Sequence, residues 1–154
     1  MTSDEFIEAL ISAPDTEARS FLLGGNSELV QTSTVYALKE RADRLERDDP
    51  RQALHIGQIA GELAEHLADD ESRAVALWIQ ANAQDLLADL ESAEHSYNRS
   101  AQLFRAAGKR LEASRTSLGY MEILAKLGRL DQAQSVAEAA RQVFVESEDL
   151  TSQA

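Results

Sequence analysis

The sequence predicts an all-α domain in which antiparallel helix pairs follow a short N-terminal helical cap, and three observations carry that prediction. Composition is the first. Of the 154 residues 44% are hydrophobic, but Ala and Leu dominate that share, 5% are aromatic and two are Pro. Ala, Leu, Glu, Gln and Arg lose least on entering a helix, whereas the β-branched and aromatic residues that fill strands are scarce. The second is an internal recurrence: Ala53, Ala93 and Ala133 stand 40 residues apart, with Leu63, Leu103 and Val143 in the same register and small residues at 60, 100 and 140. A period of this length marks supersecondary units that bury their apolar faces by stacking. The third is punctuation. Asp49-Pro50 reads as an N-cap acid followed by Pro at the first helical position, where no N–H is needed. Gly108 and Gly128 fall where helices should close on a left-handed residue.

Taken in order, the elements begin with Thr2-Ser3-Asp4-Glu5, a capping-box pattern ahead of the apolar positions Phe6, Ile7, Leu10 and Ile11. Pro14-Asp15 starts a second short helix through Phe21, Leu22 and Leu23, closed by Gly24-Gly25-Asn26. Residues 1–25 are therefore expected to cap the open face of the first repeat, as stacked repeats require. Three helix pairs follow over 26–147, at about 31–68, 71–107 and 110–147. In the second pair Val75, Leu77, Trp78, Ala81, Leu86 and Leu87 form one apolar stripe, and Leu90, Ala93, Tyr97, Ala101, Leu103 and Phe104 the other. The polar residues 148–154 are expected to fray.

Charge and chemistry narrow the function classes. A formal net charge of -12 argues against nucleic acid, whose phosphates need clustered Lys and Arg. The chain has no Cys, which excludes disulfides, thiolate metal sites and cysteine nucleophiles. The acidic N-terminus is unlike a secretory signal, and no apolar run approaches the roughly 18 residues that a membrane span needs. A cytoplasmic protein without membrane contact is expected. His55, His66 and His95 lack metal-ligand spacing, and the acids of Asp48-Asp49 and Asp69-Asp70-Glu71 lie at predicted loops, where they cap helices and solubilise. No catalytic residue, metal or cofactor is expected, and the chain is not read as an enzyme.

Ala81 in the first helix of the second pair, the turn Ala88-Asp89-Leu90, then Ala93, Tyr97 and Ser100 form one set of repeat positions. Leu124, Gly128, Leu130, Ala133, Ala137 and Ala140 fill the same roles in the third pair. With these residues the chain from about Gln31 to Ser147 resembles tetratricopeptide repeats, in the 40-residue form found in bacterial regulatory proteins. The segment from Phe21 to Leu63 is also similar to the start of bacterial proteins that join such repeats to a caspase-like protease domain. The departures are Ala81 and Met121 where the shorter 34-residue repeat carries Gly, and the absence of its closing Pro.

The resemblance implies an α-α superhelix whose first helices line a concave groove, and a module that binds a peptide or protein segment there, within a larger regulatory or signalling protein. On that mapping the groove carries Val35, Leu38 and Leu45, then Val75, Trp78, Asn82 and Asp85, then Arg115, Leu118, Glu122 and Lys126. Trp78, the sole Trp, suits a contact anchor or a packing residue. Asn82 and Arg115 resemble only part of a chaperone-binding carboxylate clamp whose lysines are missing, so chaperone docking is not implied. From the residues alone, Arg99, Arg105, Lys109 and Arg110 make a basic strip, open to an acidic partner segment or to solvent. The bare face of the last helix offers a further alternative, a homodimer formed by stacking on a second copy.

Overall fold

The computed structural model describes residues 1–153, with side chains described through residue 148. The described residues form α-helices and one short 3-10 turn, Ser27–Leu29, and no strand. The helices are α1 (Ser3–Ser12), α2 (Thr16–Gly25), α3 (Thr32–Leu45), α4 (Pro50–Leu67), α5 (Asp70–Leu86), α6 (Leu90–Ala106), α7 (Arg110–Lys126) and α8 (Leu130–Gln153). No described helix is long and apolar enough to cross a membrane.

Local chemistry sets the boundaries. The side chains of Thr2, Asp15, Asp49, Asp69 and Asp89 each accept a hydrogen bond from a first-turn backbone N–H, satisfying donors that have no partner within the helix. Helix ends are equally regular. Ala68, Ala88, Gly108 and Gly128 all have positive φ, each 20 residues after the last. At Gly108 the N–H of Lys109 bonds back to Phe104 and that of Gly108 to Arg105; Gly128 repeats the pattern with Arg129 to Leu124 and Gly128 to Ala125. Ala88 makes the same double closure with Asp89 to Gln84 and Ala88 to Asp85, so three successive joints are Schellman turns. The 40-residue recurrence is thus two helix-and-turn units of 20. At Ala88, whose φ is +62°, an L side chain sits where it costs about 1–2 kcal/mol, against roughly 0.5–1 kcal/mol of extra backbone entropy lost by Gly. Ala88→Gly should therefore raise the melting temperature by about 1–3 °C, and Gly128→Ala should lower it; thermal unfolding of both checks the sign.

From α3 to α8 each helix packs on the next, and the pairs α4–α5 and α5–α6 show that they run antiparallel. Ser100 Oγ on α6 donates to the Ala74 carbonyl on α5 at 2.6 Å, while Ser96, one turn earlier, donates to Gln84, nearer the end of α5, at 2.8 Å. Side chains along α6 thus meet α5 in reverse order. The same holds for α4 and α5, where Gln80 donates to the Gly57 carbonyl at 3.0 Å and Arg73 pairs with Glu65. In addition α3 meets α5, and α5 meets α7. The core fills the seams with Leu38, Ile56, Ile59, Leu63, Val75, Ile79 and Phe104, and the repeat residues Ala53, Ala93 and Ala133 are all buried. The tightest seams depend on two mid-helix glycines. A Cβ on Gly57 would lie 2.7 Å from Gln80 Cγ, and one on Gly119 would lie 2.4 Å from the Tyr97 ring.

In the N-terminal helices α1 and α2 the apolar positions divide. Phe6, Ile7, Leu10 and Leu23 enter the core, but Phe21 is 83% exposed. At 100° per residue it faces away from Leu23, two positions on. The buried Arg19 instead pins α2 to α4 through a two-pronged pair with Glu62, Nε to Oε2 at 2.6 Å and Nη2 to Oε1 at 2.9 Å. Arg19's hydrogen bonds hold the Glu62 carboxyl below its ordinary pKa despite partial burial. A depressed carboxylate pKa contributes stability above the ordinary carboxylate range and loses it as pH falls through the lowered value. Glu62→Gln should therefore flatten the acid limb of the stability profile, measured by melting between neutral pH and about pH 3. At the other end α8 continues through Gln153, where the sequence predicts a helix ending near Ser147 and a frayed tail. No Gly or Pro interrupts 148–153, so nothing in the backbone stops the helix; residue 154 lies outside the described residues.

Candidate functional site

The face shared by α3, α5 and α7 brings together most of the residues that the sequence marks for binding, but not all. Leu38 and Val75 are fully buried, as is Val35; they hold α3 and α5 together and present nothing to a partner. The apolar stripe of a helix that must pack on two neighbours is wider than one groove, and these residues fall on its inner edge. Leu45 packs partly buried against the same core.

Trp78 is both core and surface. Its ring meets Phe104 edge to face, with centroids 5.8 Å apart at 89°, and it touches both apolar clusters found among the described residues. From outside, Lys39 Nζ sits 4.2 Å from the ring centroid, and Asp43 holds that ammonium at 2.8 Å. Trp78, Tyr36, Lys39, Glu40, Asp43 and Ser33 border an open pocket of about 390 Å³ between α3 and α5. Sequence reasoning missed Lys39 and Tyr36, whose positions one turn apart along α3 only matter once α5 lies beside them.

The polar groups of this face are largely paired with one another. Asn82 Oδ1 accepts from the Tyr97 hydroxyl at 2.6 Å, so Tyr97 threads from α6 to the α5 surface, beneath Gly119 of α7. Asp85 accepts from Lys126 at 2.6 Å and ties α5 to α7. Tyr36 donates to Glu71 at 2.7 Å. Burial, then the carboxylates of Asp85, Glu122 and Glu46, push the Tyr97 phenol far above its ordinary pKa; burial and Glu71 do the same to Tyr36. Burial and Asp43 raise Glu46. Arg115, Leu118 and Glu122 lie exposed along α7, Leu118 at 39%.

The basic run does not form one strip. Arg105 donates to Ser117 at 3.3 Å beside α7, and Arg99, six positions earlier on α6, borders a different cleft. Lys109 lies 3.8 Å from Glu71, and Arg110 3.1 Å from Glu146. Helical rotation separates the four, and the two at the joint meet carboxylates from other helices. His55, His66 and His95 are dispersed, and the described residues contain no group of three or more His, Asp or Glu able to hold a metal ion.

A second surface feature has no counterpart in the sequence reading. Because α3 and α5 approach each other, α4 and α6 splay apart over α5 and leave an open cleft of about 670 Å³. A smaller cleft of about 350 Å³ lies one repeat on, where Asn98, Ala101, Arg105, Ser117 and Tyr120 take the places of Gln58, Gly61, Glu65, Leu77 and Gln80. No family model matches the chain, and no curated protein or solved structure matches it.

Proposed function

We propose that this chain is a protein–protein interaction module without catalysis of its own, a tetratricopeptide-type superhelix that binds a peptide or protein segment on the face of α3, α5 and α7. In this reading it serves a larger regulatory or signalling protein in the cytoplasm. The regular 20-residue spacing of the left-handed joints supports the repeat architecture. The observation that carries the binding reading is Trp78: a large ring kept partly exposed beside an open pocket, braced by Phe104 and Lys39. A rigid aromatic anchor of this kind loses little entropy on contact and supplies much of an interface's energy. The surrounding pairs, Asn82 with Tyr97 and Asp85 with Lys126, fix the shape of the surface around it.

Selection of phage-displayed peptides on the wild-type protein tests this, with counter-selection on an Arg115→Ala, Leu118→Asp variant whose changes fall on exposed positions. Peptides that bind the wild type and lose at least about tenfold in affinity on the variant are expected. Failure to select any peptide, or a set wholly indifferent to the variant, would sink the reading.

One observation favours a second reading, self-association through α8. On α6 the positions Leu90, Tyr97 and Ala101 are covered by α7 and its surroundings, whereas their counterparts Leu130, Ala137 and Arg141 lie at the end of the stack, with Leu130 66% and Val145 42% exposed. Sedimentation over a wide concentration range separates the readings: a monomer throughout leaves only the first.

A further inference from the structure

We propose that the cleft between α4 and α6 is a second docking site, distinct from the Trp78 face, and that its occupant is an amphipathic helix carrying aliphatic anchors and an acidic residue. Three features argue for it.

Gly61 is the first. Glycine in the middle of a helix weakens it, and such a residue is usually kept for close approach of another group. Gly57, one turn earlier, has that reason inside the fold, because Gln80 and Ile79 crowd it. Gly61 does not: a Cβ there would meet nothing nearer than Gln80 Nε2 at 3.5 Å, an ordinary contact. What the missing side chain does is keep the cleft open. One repeat on, Ala101 and Tyr120 replace Gly61 and Gln80, and the cleft is about 350 Å³ rather than about 670 Å³. The wide opening therefore goes with the side chains of this unit, Gly61 and Gln80 among them, and is not a by-product of the repeat.

The floor is the second feature. Ala64, Ala76, Leu77 and Leu103 line it, and Leu77 is only partly buried although it packs against the core. Two same-direction helices with small residues between them form a groove into which the ridge of a third helix fits.

Charge is the third. On the α4 side Glu62 is held by Arg19 and Glu65 by Arg73 at 3.0 Å, with Asp70 3.7 Å from Arg73. On the α6 side Arg99 is exposed, and its only described partner is the neutral Gln102, at 3.4 Å. In a chain of net charge -12 the cleft thus presents one guanidinium unopposed by a carboxylate. An acidic side chain one turn from an aliphatic anchor satisfies both the floor and Arg99.

The test uses three capped Ala/Leu helical peptides of about sixteen residues, identical except for Glu, Gln or Lys at the positions flanking the Leu anchors, titrated into the whole 15N-labelled chain. The Glu peptide should shift amide resonances of α4, α5 and α6 around Gly61, Leu77 and Arg99, and the Gln peptide should bind more weakly. Gly61→Leu should fill the cleft and lower affinity at least about tenfold. Arg99→Glu, at an exposed position that leaves the fold intact, should reverse the preference to the Lys peptide. Leu118→Asp should leave this binding unchanged, so that failure here and failure at the Trp78 face are separable. The proposal is overturned if no peptide shifts these resonances at millimolar concentration, if the shifts fall elsewhere, or if Arg99→Glu leaves the Glu-over-Lys preference as it was.

Discussion

Trp78→Ala should destabilise the protein by about 3 kcal/mol, although Trp78 reaches the surface. The substitution removes the edge-to-face contact with Phe104, a pairing worth about 0.5–1.5 kcal/mol beyond area. It also opens a gap between the two apolar clusters, both of which Trp78 touches. In the proposed repeat architecture stability is a sum of units and the interfaces between them, so weakening this contact should also broaden the transition as the last helix pair melts ahead of the rest. Urea unfolding followed by circular dichroism measures both effects. A loss below about 1 kcal/mol would mean that the indole is a surface group only. Because Trp78 serves the core as well as the face, its removal does not isolate binding; the exposed positions Arg115 and Leu118 do.

Gly119→Ala should cost about 2 kcal/mol, against the direction that helix propensity sets. In an open helix Gly→Ala gains up to about 1 kcal/mol, but here the new Cβ would lie 2.4, 2.6 and 3.0 Å from three atoms of the Tyr97 ring. Tyr97 is 4% exposed and hydrogen-bonded to Asn82, so the ring has no free space to enter, and overpacking of this kind costs about 1–3 kcal/mol. The same exchange at Gly61, where no atom comes within 3.5 Å, should stabilise by roughly 0.5–1 kcal/mol. Chemical denaturation of the two variants side by side gives opposite signs on this account; stabilisation by both would show that α6 and α7 yield easily. Tyr97→Leu combined with Gly119→Ala should recover part of the loss, since the pair is in direct contact.

Much of the fold was legible because helices announce their ends locally. Asp49, Asp89, Gly108 and Gly128 mark boundaries through hydrogen bonds made within a few residues, and the 40-residue register locates the buried Ala53, Ala93 and Ala133. Ala88 was less legible, since a left-handed alanine has no sequence mark of its own. The candidate site was legible only in outline. Trp78, Asn82, Asp85, Arg115, Leu118, Glu122 and Lys126 do lie along α5 and α7, yet Leu38 and Val75 sink into the core, because which edge of an apolar stripe remains open depends on the crossing of the neighbouring helix.

The sequence by itself determined that this protein is all helical, where most helices begin and end, and which small residues lie in the seams. These follow from propensity, capping and periodicity, which act over one or two turns. The tertiary structure decided the rest: that Tyr97 crosses beneath Gly119 to reach Asn82, that Lys39 covers Trp78, and that the basic run from Arg99 to Arg110 divides among separate surfaces. It also decided that α4 and α6 part over α5, beside Gly61. Each of these joins residues from different helices, whose meeting depends on interhelical distance and rotation, quantities that no local pattern contains.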